Sequence, residues 1–101
     1  MKPLLNYIGG SFVPAHSGST LNNINPATNE VITTIPRSTS NDVAQATLAA
    51  VAAEASWKAT PFEDRILWLD RIADALEAKA EQIAQLETTD TGKPISLSRR
   101  V

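Results

Sequence analysis

Cysteine is absent from the 101 residues, which excludes a disulfide framework, a zinc–thiolate site and a sulfur nucleophile anywhere in this stretch. Histidine occurs once, at His16, so imidazole chemistry would rest on a single side chain. There is no surplus of positive charge: 9 basic residues stand against 11 acidic ones, and Arg99-Arg100 is too short a run to track a phosphate backbone. Nucleic acid is therefore not an expected partner. Long apolar runs are missing as well. Met1-Lys2-Pro3-Leu4-Leu5-Asn6 breaks after two leucines, too early for a signal-peptide core, and nothing approaches the roughly 20 residues of a membrane span. The expectation is a soluble cytoplasmic protein of one domain at most, with no membrane contact. Large apolar side chains are scarce too, because 15 of the residues counted as apolar are alanines. A chain of this size buries only about two-thirds of its unfolded surface, so its stability margin is thin.

What is present divides at residue 36. Residues 1–36 hold three of the four glycines and four of the six prolines but only two charged side chains, the composition of short strands and turns. Leu5 to Ile8, Gly9-Gly10 and Ser11 to Val13 predict a hairpin, since Gly-Gly supplies the positive φ angles of a tight two-residue turn. Thr20 to Ile24 and Glu30 to Ile35 predict two further strands around Asn25-Pro26-Ala27-Thr28-Asn29, where proline presets the turn and asparagine tolerates left-handed geometry. Pro36 ends the last of them. Residues 37–101 carry 18 of the 20 charges and 13 alanines, the composition of helices. One helix is predicted over about 41–57, with Ser40 or Asn41 as N-cap, Asp42 in the first turn, and Val43, Leu48, Val51 and Trp57 as anchors. A second start is read at Thr60-Pro61-Phe62-Glu63 as a capping box with proline at the first helical position. From there Ile66, Leu69, Ala73, Leu76, Ala80 and Ile83 recur at spacings of 3 and 4, which predicts one stripe facing a core over 61–91. Periodicity leaves open whether this is one helix or two broken near Lys79-Ala80. Gly92 and Pro94 give the stop.

Each chemically suggestive motif has a plainer explanation. Asp90-Thr91-Gly92 is the triplet of a dimeric aspartic protease, but such a site sits on a loop among β-strands, and here the triplet follows a helical stripe. It reads as a helix-ending turn. Gly92-Lys93 is half of a phosphate loop, yet Glu87 stands where that motif needs its first glycine. His16 lacks sequence neighbours for a His-Asp-Ser relay. Asp70, Asp74, Glu77 and Glu81 share helical spacing, but Arg71 and Lys79 interleave, as on a solvated face. Trp57 and Trp68 read as core packing rather than ligand platforms. From these residues alone the chain is a small α+β unit without a self-contained active site.

Taken in order, three blocks carry more. They are Asn6-Tyr7-Ile8-Gly9-Gly10-Ser11-Phe12-Val13, Ile24-Asn25-Pro26-Ala27-Thr28-Asn29-Glu30-Val31-Ile32 and Leu86-Glu87-Thr88-Thr89-Asp90-Thr91-Gly92-Lys93-Pro94. With Asp42-Val43, Trp57, Arg65-Ile66-Leu67 and Arg71-Ile72-Ala73-Asp74 between them, the chain resembles the N-terminus of the aldehyde dehydrogenase superfamily over nearly its whole length. The ending Gly92 to Arg99 looks like the branch that oxidises muconic semialdehydes.

The resemblance implies the N-terminal part of an α/β family fold: short antiparallel strands over about 5–35, then helices over about 41–57 and 61–91. It also implies a larger, homo-oligomeric enzyme that oxidises an aldehyde or semialdehyde to a carboxylic acid with NAD or NADP. In that family a cysteine thiolate attacks the aldehyde, an amide-lined hole holds the oxyanion, hydride passes to the nicotinamide, and a glutamate activates water. Those groups belong to later segments of the family fold, so this stretch is expected to be inactive alone and not to bind the dinucleotide. One feature does carry over: many members hold a structural potassium or sodium ion with main-chain oxygens before the Asn-Pro turn and the acidic residue before Thr-Gly-Lys. By position these are Asn23, Ile24 and Asp90, with a further oxygen from a later segment; the plainer alternative is that Asp90 caps local backbone donors. The alternative from another class is a non-catalytic interaction module that docks on a full-length relative, since helices lacking a sheet to cover would expose Ile66, Leu69, Ile72 and Leu76.

Overall fold

The computed structural model describes Met1 to Arg100, which divide into two units: residues 1–24 with 31–59, and residues 25–30 with 60–100. The first unit begins with the predicted hairpin. β1 (Asn6–Ile8) pairs antiparallel with β2 (Ser11–Val13), Asn6 opposite Val13 and Ile8 opposite Ser11. Gly9 and Gly10 have φ of 61° and 83°, the double positive φ that a residue with a side chain adopts only under strain. Across the strands the Tyr7 and Phe12 rings lie 5.0 Å apart, and both are exposed.

β3 (Thr20–Ile24) and β4 (Val31–Pro36) form a second antiparallel pair, from Thr20 opposite Pro36 to Ile24 opposite Val31, with the register slipping between Asn23 and Ile24. Pro36 costs no ladder bond there because it is the terminal residue. Residues 2–4 lie along β4: the Leu4 N–H donates to the Thr34 carbonyl at 2.9 Å, and the buried Thr33 hydroxyl donates to the Lys2 carbonyl at 2.8 Å.

α1 runs over Ser40–Ala59, slightly longer than its predicted span. Its cap differs from the expectation. The Val43 N–H donates to the Thr39 carbonyl, which makes Thr39 the N-cap in place of Ser40 or Asn41, and the Asp42 carboxylate reaches back to the Thr39 N–H at 2.8 Å. The alanine face of α1 admits the hairpin closely: a Cβ on Gly9 would stand 3.8 Å from the Ala49 Cβ.

In the second unit, residues 25–30 form the Asn-Pro turn. The Asn25 side chain accepts from the Ala27 N–H at 2.9 Å, its N–H donates to the Glu30 carbonyl at 2.9 Å, and Asn29 has φ 62°. The 61–91 stripe is two helices, α2 (Phe62–Glu77) and α3 (Ala80–Thr91). Pro61 is the N-cap of α2 and not its first helical residue, as the Arg65 N–H bond to the Pro61 carbonyl defines. Between the helices Lys79 leaves helical geometry at φ −113°, ψ 12°, and its N–H bonds to Leu76 three residues back. No glycine or proline marks that break.

α3 ends as expected, on left-handed Gly92 (φ 76°) with its N–H on the Thr88 carbonyl. A short α4 (Ile95–Ser98) then follows from Pro94 and folds back on α3, a turn that sequence patterning did not anticipate. Ser98 is fully buried, with its hydroxyl 2.9 Å from that of Thr88. Arg99 grips Glu81 in a two-pronged bond at 2.7 and 2.9 Å.

Candidate functional site

The three predicted cation ligands fall in both units. Asn23 and Ile24 sit at the register slip between β3 and β4, where β4 carries the extra residue, Ile32, between the partners Thr33 and Val31. Asp90 is exposed in the last turn of α3, one residue from its end. Asp70, Asp74 and Glu77 are exposed, while Glu81 is committed to Arg99 and to the Gln85 amide. The Arg99 fork first, and Gln85 second, hold the Glu81 carboxyl down to about 2. Among the described residues, no three His, Asp or Glu side chains converge on a metal position.

A second polar cluster is one that patterning did not single out. Asp42, buried at the start of α1, accepts from the His16 main-chain N–H at 2.7 Å with one oxygen and from the Thr39 N–H at 2.8 Å with the other. These bonds, Thr39 first and His16 second, lower the carboxyl below its ordinary value. The signal was present: Thr39-Ser40-Asn41-Asp42 is a capping box read from Thr39. What the sequence did not reveal is the clasp onto His16, 26 residues away. The contact uses the backbone of His16 and builds no imidazole relay.

Beside this clasp runs a groove of about 260 Å³ lined by Asn6, Tyr7, Ile8, Ser38, Asp42, Val43 and Ala46. A larger groove, of about 660 Å³, continues along Gly9, Gly10 and the alanines of α1. Their chemistry does not fit a dinucleotide. A pyrophosphate needs converging N–H donors at a glycine-rich turn into a helix, and the one charged group on these walls is the Asp42 carboxylate.

The remaining surface is the unusual part. Trp57 is 48% exposed and Trp68 51%, so neither is the core residue expected, and Val43, Leu48 and Val51, the expected anchors, are exposed as well. The Ile66, Leu69 and Leu76 stripe faces outward, and the buried apolar side chains are Ala15 and Ala84. The accessible surface is 7920 Å², whereas two separate folded proteins of half this mass would together show roughly 6,700 Å². The stripe expected to face a core is therefore exposed among the described residues.

Comparison with known proteins places the chain in a family. Residues 12–100 match the profile of the aldehyde dehydrogenase family. Acetaldehyde dehydrogenase 2 of Cupriavidus necator is 42% identical over 90 residues, which make up 89% of this chain and 18% of that protein. The chain belongs to the aldehyde dehydrogenase family. Hydroxyisobutyraldehyde dehydrogenase of Mycolicibacterium austroafricanum is 36% identical over 99 residues, 98% of this chain and 20% of that one. Among solved structures, HpcC from Thermus thermophilus matches with a TM-score of 0.93 at 37% identity, over 96% of this chain and 19% of its own. Betaine aldehyde dehydrogenase of Staphylococcus aureus, a point mutant solved with NAD+ and a BME-modified cysteine, matches at 0.90 and 37% identity, over 94% and 20%. The chain thus spans about a fifth of the length of these aldehyde dehydrogenases. Its antiparallel strands followed by helices are the N-terminal part of their fold.

Proposed function

We propose that these residues are the N-terminal portion of an NAD(P)-dependent aldehyde dehydrogenase that oxidises an aldehyde or semialdehyde to the carboxylic acid, and that their own contribution is scaffold. The support is a match over nearly the whole chain to relatives of which it covers only a fifth. The relatives are named for acetaldehyde and hydroxyisobutyraldehyde, and a neighbour is crystallised with NAD+. The dinucleotide would supply hydride acceptance in the whole enzyme; the residues of this chain shape and brace. With no cysteine, a thioester cannot form on them. The intact protein is proposed to be a cytoplasmic homo-oligomer.

The test is turnover in two settings. The purified chain is expected to give no aldehyde-dependent NADH, with acetaldehyde or a semialdehyde, at pH 8 to 9. Grafted in place of the matching fifth of the Staphylococcus aureus betaine aldehyde dehydrogenase, the same residues should support activity. Turnover by the chain alone, or a dead graft beside an active parent, contradicts the proposal.

The same reading includes a structural potassium or sodium ion on oxygens of Asn23, Ile24 and Asp90. Its support is the resemblance and the donor chemistry, since main-chain carbonyls and a carboxylate are the hard oxygen ligands such ions take. The melting temperature of the graft is expected to be higher in potassium or sodium chloride than in a bulky organic cation chloride at equal ionic strength. Equal values remove the ion from the proposal.

A further inference from the structure

The α2 face combines two features that do not belong together in a finished surface. One is apolar exposure: Phe62 is 65% exposed and Leu69 63%, with Trp68 and Ile72 exposed on the same side. The other is Arg65 in their midst, three residues after Phe62 and four before Leu69, hence flanked by both along the helix. Unlike its charged neighbours Asp64 and Asp70, Arg65 is half-buried, and its Nε is shut off from solvent without any hydrogen-bond partner among the described residues. Its guanidinium carbon lies 5.8 Å from the centre of the Phe62 ring, a contact that gives Nε no acceptor.

From this we infer that α2 docks on an aldehyde dehydrogenase body through Phe62, Trp68, Leu69 and Ile72, and that the body presents a carboxylate to the Nε edge of Arg65. The physical argument is desolvation. Covering the apolar residues strips the remaining water from a guanidinium already dry at Nε, and a buried unpaired cation is strongly destabilising. A carboxylate offsets that loss best, because its two oxygens match the planar Nε–Nη edge. The occupant is fixed by length: the relatives carry four-fifths of their chain beyond the part matched here, and the outward apolar faces of this fifth need that cover. The inference rests on the proposed family role and adds the partner's chemistry to it.

The graft described above separates the two. Its crystal structure should show an Asp or Glu oxygen from outside the grafted segment within hydrogen-bond distance of Arg65 Nε. Arg65→Met should speed thermal inactivation at least tenfold, Arg65→Lys, which keeps charge without the Nε edge, should fall between, and Ile72→Asp should disrupt the apolar contact itself. A stable, active graft with no such carboxylate, or with Arg65→Met inactivating at the unmutated rate, overturns the Arg65 pairing and leaves the family role standing. A graft that never becomes active, beside an active parent, overturns both. If the isolated chain instead forms a dimer that Arg65→Met dissolves, the occupant is a second copy and the inference falls.

Discussion

Gly92→Val is expected to destabilise the α3–α4 region by about 2–4 kcal/mol, the cost of forcing a β-branched residue into a left-handed backbone together with a steric contact. The backbone at Gly92 has φ 76°, and a Cβ built there stands 3.3 Å from the Pro26 Cγ. Two penalties therefore coincide where α3 must end. Gly10→Ala provides the control, because Gly10 has φ 83° but nothing within 4 Å of a built Cβ. Strain alone acts at Gly10; strain plus the proline ring acts at Gly92. Gly92→Ala should lose more stability than Gly10→Ala, Gly92→Val more still, and Gly92→Asn least of the Gly92 series, since asparagine tolerates this conformation. Urea unfolding followed by helical circular dichroism reads the order. Equal losses for Gly92→Ala and Gly10→Ala would show that Pro26 yields without cost.

Gly92 also illustrates why some of this fold was legible in the sequence. Its role is local: a residue able to adopt positive φ, placed after a helical stripe and before Pro94, specifies a stop with no knowledge of what packs around it. Gly9-Gly10, Asn29 and Pro36 were readable for the same reason, and so the strand pairs and their turns match expectation. The break at Ala78-Lys79 lacks such a marker. Alanine and lysine are both good helix formers, so propensity argues for continuity there, against the break observed. The Thr39 cap was missed for a different reason, because Ser40 and Asn41 are equally good caps and the tie is broken only by where the Asp42 carboxylate reaches.

The candidate site was less legible, since a sequence pattern reports which side of a helix is apolar and says nothing of what lies opposite. Ile66, Leu69 and Leu76 were read as facing a core and are exposed in this chain, while Arg65, charged though it is, is half-buried within an apolar face. Both departures arise from one cause. On the docking inferred above, the α2 surface is complementary to the remainder of an aldehyde dehydrogenase rather than to the 101 residues themselves, so its chemistry is intelligible only across that boundary. The motif blocks identified the family because turn and cap residues are constrained locally, whereas the docking face is constrained from outside.

Asp42→Asn is expected to lower the melting temperature by several degrees, nearly as much as Asp42→Ala despite being almost isosteric. The reason lies in the donors. Both Asp42 oxygens accept main-chain N–H groups, one from His16 and one from Thr39, so an amide in place of the carboxylate satisfies one and turns its own NH2 against the other. A buried N–H left facing a donor loses its partner and the favourable charge at the start of α1 together. Protonation should have the same effect more gradually. The folded-state value of Asp42 lies below its ordinary 3.8, so its contribution is complete above that value and fades as the pH falls through the lower folded one. The stability gap between the native chain and Asp42→Asn should accordingly be constant from pH 7 down to about 5 and close progressively below about pH 4. Thermal melts of the two chains across that range, at fixed ionic strength, measure the gap. A gap that persists unchanged at the acid end would mean that the His16 and Thr39 bonds are held by geometry rather than by the carboxylate charge.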